Sequence, residues 1–449
     1  MKSTVSRFLF VALIATLVVA MAACAAPVAA PVAPAEEAAA PAEEAAAPAA
    51  AEGTDLSGPL EIFSWWTTGG EVEALDAVYA VLSERYPNIE IENAALVGGA
   101  GQGGAMKALL ETRMMGGEPP DSFQVHLGHE LIDSHVIAGR MEPLDFLYES
   151  EGLYDAFPQD LVDIASYEGS PYSVPINIHR SNMLWYRPDK LASVGVEAAP
   201  TTWDEFFAAA DKLAAAGIPA MGLGEADQTM AAHIFESILV ATLGADKYRG
   251  LFDGTTGWDD PLVTQALETA NKMFDYVNPD FLSVRQGEMV ATFPEDGPAM
   301  FISGDWSHGQ LKALGYTDYA WVPSPGTDGI FIVLSDSFGL PVGAPDRDNA
   351  IGWLGVVGSK EGQDAFNPIK GSIPARVDGD KSLYDEYQLS AMDDFASNTL
   401  VPSIQHGAAA KQSFILDYDF ALNDLATNRD VAKAQDMLVQ AAEVAGFGQ

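Results

Sequence analysis

Cysteine is all but absent from this chain. Cys24 is the only one in 449 residues, so no disulfide braces the folded part. Positive charge is scarce too: 23 Lys and Arg stand against 64 Asp and Glu, a net charge of −41. That balance excludes a nucleic-acid partner and repels an anionic membrane surface. His126 and His129 are spaced i, i+3, but no carboxylate or cysteine cluster joins them, so neither a metal nor another cofactor is expected. The Gly-x-Ser-x-Gly element of serine hydrolases is missing. The apolar run at residues 8–19 is too short to cross a bilayer.

What that run does fit is a secretory signal, because Lys2 and Arg7 precede it and Met21-Ala22-Ala23-Cys24 follows. Small residues before a cysteine resemble a bacterial lipobox. Acylation of Cys24 accounts for the lone cysteine and would anchor the chain firmly, since several acyl chains hold where one does not. Residues 1–24 are therefore read as a lipoprotein signal. Residues 25–54 are mostly Ala, Pro and Glu, which cannot bury apolar surface, and are read as a disordered tether.

The remaining length, in a chain that is 48% hydrophobic, suffices for two globular domains. It is organised around Leu60-Glu61-Ile62-Phe63-Ser64-Trp65-Trp66, an apolar run that reads as a buried strand. A glycine loop, Thr67-Thr68-Gly69-Gly70, and an amphipathic helix with Leu75, Val78 and Leu82 on one face follow. Ligands in open α/β sheets bind just past the carboxyl ends of strands. Two tryptophans and Glu71 stand at that position here. Adjacent strand residues point to opposite faces, so both indoles cannot share one core.

Residues 89–92 alternate and should pair with the opening strand. Gly99-x-Gly101-x-x-Gly104 matches the dinucleotide fingerprint by letter, but it follows the second strand of its unit, so we read it as a flexible loop. Residues 123–126 form a short strand with a polar exit. Prolines and polar breaks near Asn177 and Asp336 suggest two crossings between domains. Thr202 and Glu205 form a capping box, with Gly217 stopping the helix. Asp348 is expected to cap a helix through Val357, residues 366–374 to form a loop, and residues beyond 391 to be mostly helical with a polar insert at Gln405-His406-Gly407.

Taken together, the lipobox, the tether, Ile62-Phe63-Ser64-Trp65-Trp66, Pro200-Thr201-Thr202-Trp203-Asp204-Glu205-Phe206 and Ala299-Met300-Phe301-Ile302-Ser303-Gly304-Asp305-Trp306 resemble the extracellular solute-binding proteins of ABC sugar importers. Phe123-Gln124-Val125-His126, Asn177-Ile178-His179-Arg180-Ser181, Pro323–Gly326, Leu334–Pro341 and Phe366–Ser372 are similar to the glucose/mannose-binding subgroup. The resemblance implies two α/β lobes joined by a hinge, a periplasmic-binding-protein-like fold with the ligand between the lobes. It implies residues 55–177 and 336–385 in the N-terminal lobe, and 178–335 and 386–449 in the C-terminal lobe. It carries sugar contacts over to Trp65, Trp66, Glu71, Gln124, His126, His179, Trp306, Asp336, Lys370 and His406. Relatives have a further aromatic before the Ala299–Ile302 stretch; here Gln286 takes that place.

These residue types suit a pyranose. Indoles cover its C–H face, carboxylates accept from its hydroxyls, and Lys370 donates. Hydrogen bonds to charged groups contribute about 1.5–3 kcal/mol each, so a few of them reach the roughly −8 kcal/mol of micromolar binding. The expected function is non-catalytic capture of a hexose outside the membrane by a monomeric protein and its delivery to ABC transporter membrane subunits. A di- or oligosaccharide ligand is the alternative. A glycosidase using Glu71 and Asp336 is the third reading.

Overall fold

The computed structural model describes residues 55–67, 69–94 and 103–447. The signal with Cys24, the tether and residues 98–102 of the glycine run lie outside the described residues. Among those described, no helix is long and apolar enough to cross a membrane.

Three sheets carry the architecture. The first runs in the order Asn88–Asn93, Ser57–Phe63, Ser122–His126, Asp336–Gly339, Ser173–Pro175. Its first three strands are parallel, and Asp336–Gly339 is antiparallel to both neighbours. The second sheet runs Ala320–Pro323, Met183–Tyr186, Met300–Ser303, Met221–Gly222. The third, Ile373–Pro374, Asn177–Arg180, Ile330–Leu334, Thr399–Pro402, lies in sequence between them. Single residues separate its strands from those of the first sheet: Ile176 follows Ser173–Pro175, and Ser335 precedes Asp336–Gly339. The chain thus leaves the first sheet and returns to it at the two places where proline and polar breaks pointed to crossings.

The opening strand forms because Leu60 and Ile62 are fully buried, against a helix, Gly69–Arg85, whose Leu75, Val78 and Leu82 are also fully buried. Trp353, Phe338 and Trp66 extend this core, with Trp353 and Phe338 edge to face at 5.0 Å. A second core gathers Phe206, Ile234, Phe235, Leu267, Phe414 and Tyr418 around the second sheet. The Thr202–Glu205 capping box is present, with the Glu205 amide donating to Thr202 Oγ1 at 3.3 Å.

Some elements differ from expectation. Gly69 and Gly70 belong to the first turn of a helix, not to a loop, which places Glu71 on that turn. The helix Arg347–Gly358 starts after Asp346, two residues before the expected cap. Residues 366–370 lie in a helix, Lys360–Lys370, despite Pro368. The proline is tolerated because it sits in the last turn, and Gly371, at φ 89°, closes the helix by donating its N–H to the Asn367 carbonyl. Thr399–Pro402 is a strand parallel to Ile330–Leu334 within a stretch read as helical. Its proline and the short apolar run hid it.

Trp353→Ala removes a fully buried indole from this core and should cost about 3–5 kcal/mol, read as a lower urea midpoint with an unchanged denaturant slope.

Candidate binding site

The site is built on Asp336, the first residue of a strand, directly opposite His126 in the antiparallel register. Asp336 is 3% exposed. Its Oδ1 accepts from Gln124 Nε2 at 3.0 Å and its Oδ2 from Asn177 Nδ2 at 2.9 Å, while its own amide donates to Asn177 Oδ1 at 2.7 Å. His179 Nε2 stands 3.4 Å from Oδ2. On its other side the His179 Nδ1 meets Asp305 Oδ1, and Asp305 Oδ2 accepts the Arg180 amide at 3.0 Å.

Asp305, His179 and Asp336 therefore form a continuous buried chain from the second sheet to the first. Burial works against both charged forms. For Asp336 the hydrogen bond and charge of His179, with His126 and Lys370 behind, outweigh it and hold the carboxyl well below its usual range. For His179 burial is outweighed by Asp305 and then Asp336, so its value is raised. The arrangement favours the protonated imidazole, held between two carboxylates.

Two indoles flank this chain. Trp65 lies just past the opening strand, its amide 3.2 Å from Gln124 Oε1, which also accepts the Ser64 hydroxyl at 2.8 Å. Its ring is 5.1 Å from that of His126, with the Lys107 ammonium 5.1 Å from its centroid. His126 Nδ1 and Lys107 both bond Glu130, at 2.7 and 3.0 Å. Trp306 opens the helix Trp306–Ala313 and meets His179 edge to face at 5.6 Å. Its ring folds back over Gly304, where a Cβ would stand 2.1 Å from an indole carbon, so only glycine fits there.

His406 sits between the two halves. Its ring is 5.4 Å from His126, 5.1 Å from Trp306 and 5.4 Å from His233. The following Gly407, at φ +69°, gives its carbonyl to the Glu130 amide at 3.0 Å, and a Cβ there would lie 2.6 Å from the Glu130 Cβ. Glycine at this position lets the two backbones meet.

The other expected residues form a second group. Lys370 ends its helix 4% exposed, bonded to Glu71 Oε1 at 2.7 Å, with its ammonium 5.7 Å from the Trp66 ring. Trp66 is 1% exposed and packs on Phe366 at 4.8 Å and Phe338 at 5.9 Å. It therefore belongs to the first core and adjoins the group through Lys370. Trp65 is the indole of the pair that faces the histidines. His129 turns away to Asp133 and does not act with His126. Gln286 accepts the Gly224 amide at 3.0 Å and leaves its Nε2 buried without a partner. Asn177, Asp305 and His233 were not singled out as site residues. The first two stand within quoted motifs, but His233 sits on an apolar helix with no local signal.

A polar, indole-flanked centre between two sheet-built lobes defines a periplasmic-binding-protein-like fold. A chitin oligosaccharide binding protein of known structure shares it with a TM-score of 0.77 at 20% identity, covering 88% of this chain and 99% of that one. Residues 68–364 match the bacterial extracellular solute-binding proteins, and the chain belongs to that family. It is 36% identical to an uncharacterized ABC transporter extracellular-binding protein of Pyrococcus horikoshii, over 85% of this chain and 87% of the relative. It is 30% identical to a probable sugar-binding periplasmic protein of Mesorhizobium japonicum, over 73% of this chain and 78% of the relative.

The buried ion chain gives a signed pH dependence. A raised histidine contributes stability that is complete below its ordinary 6.5 and is lost as pH rises through the folded value. A depressed carboxyl contributes stability that is complete above its ordinary 3.8 and is lost as pH falls. His179→Gln should therefore be most destabilising relative to wild type near about pH 6, with the gap in urea midpoint narrowing at more alkaline pH. A gap that does not vary with pH would mean that folding leaves the His179 pKa unshifted.

Proposed function

We propose that this chain is the sugar receptor of an ABC importer, taking up a single hexose between its lobes and presenting it to the membrane subunits. The observation that carries this reading is the placement of Trp65 and Trp306 at the two ends of a run of rings through His126 and His406, beside the Asp336–His179–Asp305 chain. Indole faces cover the apolar side of a pyranose, and an ionised, well-held carboxylate accepts from its hydroxyl rim. Charges in the site are largely paired: Lys370 with Glu71, Lys107 with Glu130, and His179 with Asp305 and Asp336. A neutral polyol fits such pairing better than an ion, which would leave one member uncompensated. The name of the Mesorhizobium relative points the same way.

In this reading Trp65 and Trp306 stack, Asp336, Gln124 and Glu71 with Lys370 meet hydroxyls, and His126, His179 and His406 complete the rim. Trp66 supports Lys370. The Glu130 amide bonds the Gly407 carbonyl next to His406, and in this reading that joint limits the site to one sugar ring. The lobes comprise residues 55–177 with 336–385, and 178–335 with 386–449. Lipidated Cys24 holds a monomer at the outer face of the cell membrane through the tether. Burial is outweighed at Asp336 by the hydrogen bond and charge of His179, which favour the ionised carboxylate that accepts from a hydroxyl.

Calorimetry with a panel of hexoses, pentoses and oligosaccharides tests the reading. One hexose should bind at micromolar or tighter affinity and quench or enhance tryptophan fluorescence. Trp65→Ala should weaken it by about tenfold or more without lowering the unfolding temperature. Heat from oligosaccharides alone would replace the hexose by a longer ligand, and silence across the panel would end the sugar reading.

A further inference from the structure

His406 lies on an irregular turn, between the strand Thr399–Pro402 and the helix Gln412–Asn428. A ligand-facing ring on such a segment needs rigid support. The long helix Met230–Asp253 supplies it twice, from His233 and Glu236, which are three residues apart and share a face. His233 Nδ1 lies 3.2 Å from His406 Nε2. One turn further on, the Glu236 carboxylate accepts the Ser403 hydroxyl at 2.9 Å and the Ile404 amide. The Ser403 oxygen in turn accepts the His406 amide at 3.3 Å. The Tyr248 hydroxyl, beyond the break in that helix at Gly244, stands 2.8 Å from both Glu236 Oε1 and the Pro402 carbonyl. Glu236 is 0% exposed and His233 1%, so neither is open to a solute in the cleft.

We propose that His233 and Glu236 are positioning residues for His406: Glu236 fixes the backbone of the 403–406 turn and His233 fixes the ring, leaving His406 Nδ1 as the nitrogen offered to the ligand. The inference rests on the reading of His406 as a ligand contact. Burial lowers the pKa of both rings, to about 4 for His233, so both are neutral. Two neutral imidazoles at that distance share one proton, one donating and the other accepting, and must adopt complementary tautomers. The role of His406 Nδ1 toward a hydroxyl is then tied to the tautomer of His233. A ring free to rotate and to exchange tautomers would have to be ordered at the moment of binding, which costs affinity. His233 also meets Trp306 edge to face at 5.4 Å, so the same helix residue touches two of the groups assigned to the sugar.

The test is a double-mutant cycle. His233→Phe keeps the aromatic contact with Trp306 and deletes Nδ1. Glu236→Gln keeps the shape and sets an amide where two acceptors stood. Each should weaken binding of the preferred hexose by roughly fivefold or more, and neither should weaken it further in a His406→Ala background. Equal losses in both backgrounds would overturn the proposal, because the residues would then act independently of His406. A second readout needs no sugar. Nitrogen–proton correlation spectra of the unliganded protein should show His406 as one neutral tautomer in the wild type and as a mixture in His233→Phe. An unchanged His406 ring in that variant overturns the positioning role whatever the ligand. If the wild type binds no sugar while the ring signals change as expected, the sugar reading fails and the positioning stands.

Discussion

A buried carboxylate is the constraint on which the rest of this protein depends. Asp336 lies where an unpaired charge would cost several kcal/mol, and its neighbours are arranged to remove that penalty. Gln124 comes from the next strand, Asn177 from the crossing, and His179 from the sheet beyond. Each of these partners is then fixed for a second purpose. Gln124 can donate to Asp336 only with its carbonyl turned the other way, where it receives the Ser64 hydroxyl and the Trp65 amide. His179 Nδ1 bonds Asp305, its Nε2 stands 3.4 Å from Asp336 Oδ2 as an ion-pair contact, and Asp305 immediately precedes Trp306. One charge thus bears on the positions of both indoles, through hydrogen bonds toward Trp65 and through the His179 ion pair toward Trp306.

This dependence explains how so few cations suffice. With 23 basic residues against 64 acidic ones, the chain gives Lys107 and Lys370 to the site and pairs each with a carboxylate. The third partner is a histidine, whose protonated form two carboxylates favour. Small residues do comparable work where backbones must meet. Gly304 lets the Trp306 ring lie flat on the chain, and Gly407 lets the His406 turn reach the Glu130 amide.

The first sheet and its helix were legible in the sequence because their apolar residues recur with the right period. The 60–66 strand, the pairing of residues 89–92 and the Leu75, Val78, Leu82 face depend on local pattern alone. The helix Lys360–Lys370 was not, because Pro368 reads as a breaker unless the helix end is known. Thr399–Pro402 was missed because its partner strand lies some 70 residues away, in Ile330–Leu334. The site divides the same way. Trp65, Gln124, His126, His179, Trp306, Asp336 and His406 are brought together, and all but His406 stand in motifs that mark them. Trp66 and Trp65 look equivalent as letters, and only the packing of Phe338 and Phe366 separates a core indole from a half-buried one. His233 has no local signature at all, since its neighbours Ala231, Ala232, Ile234 and Phe235 are all core residues.

The position of Asp336 beside the crossing also bears on how capture would be linked to motion. Ser335 and Ile176 are the single residues between the first and third sheets, and Asp336 adjoins one of them while Asn177 adjoins the other. Gln124 and Asp336 lie on paired strands of one sheet, so a rotation about the crossing would leave their bond intact. The His179 contact, at 3.4 Å, joins different sheets and is longer than the Gln124 and Asn177 bonds. Parting the lobes would lengthen it first and leave Asp336 short of its cation. A hydroxyl-bearing solute arriving in the parted cleft would offer a donor to that same carboxylate, and closing would restore the imidazolium beside it. Solute and closure would then favour one another through a shared acceptor, which is the differential interaction that a ligand needs in order to shift a conformational equilibrium.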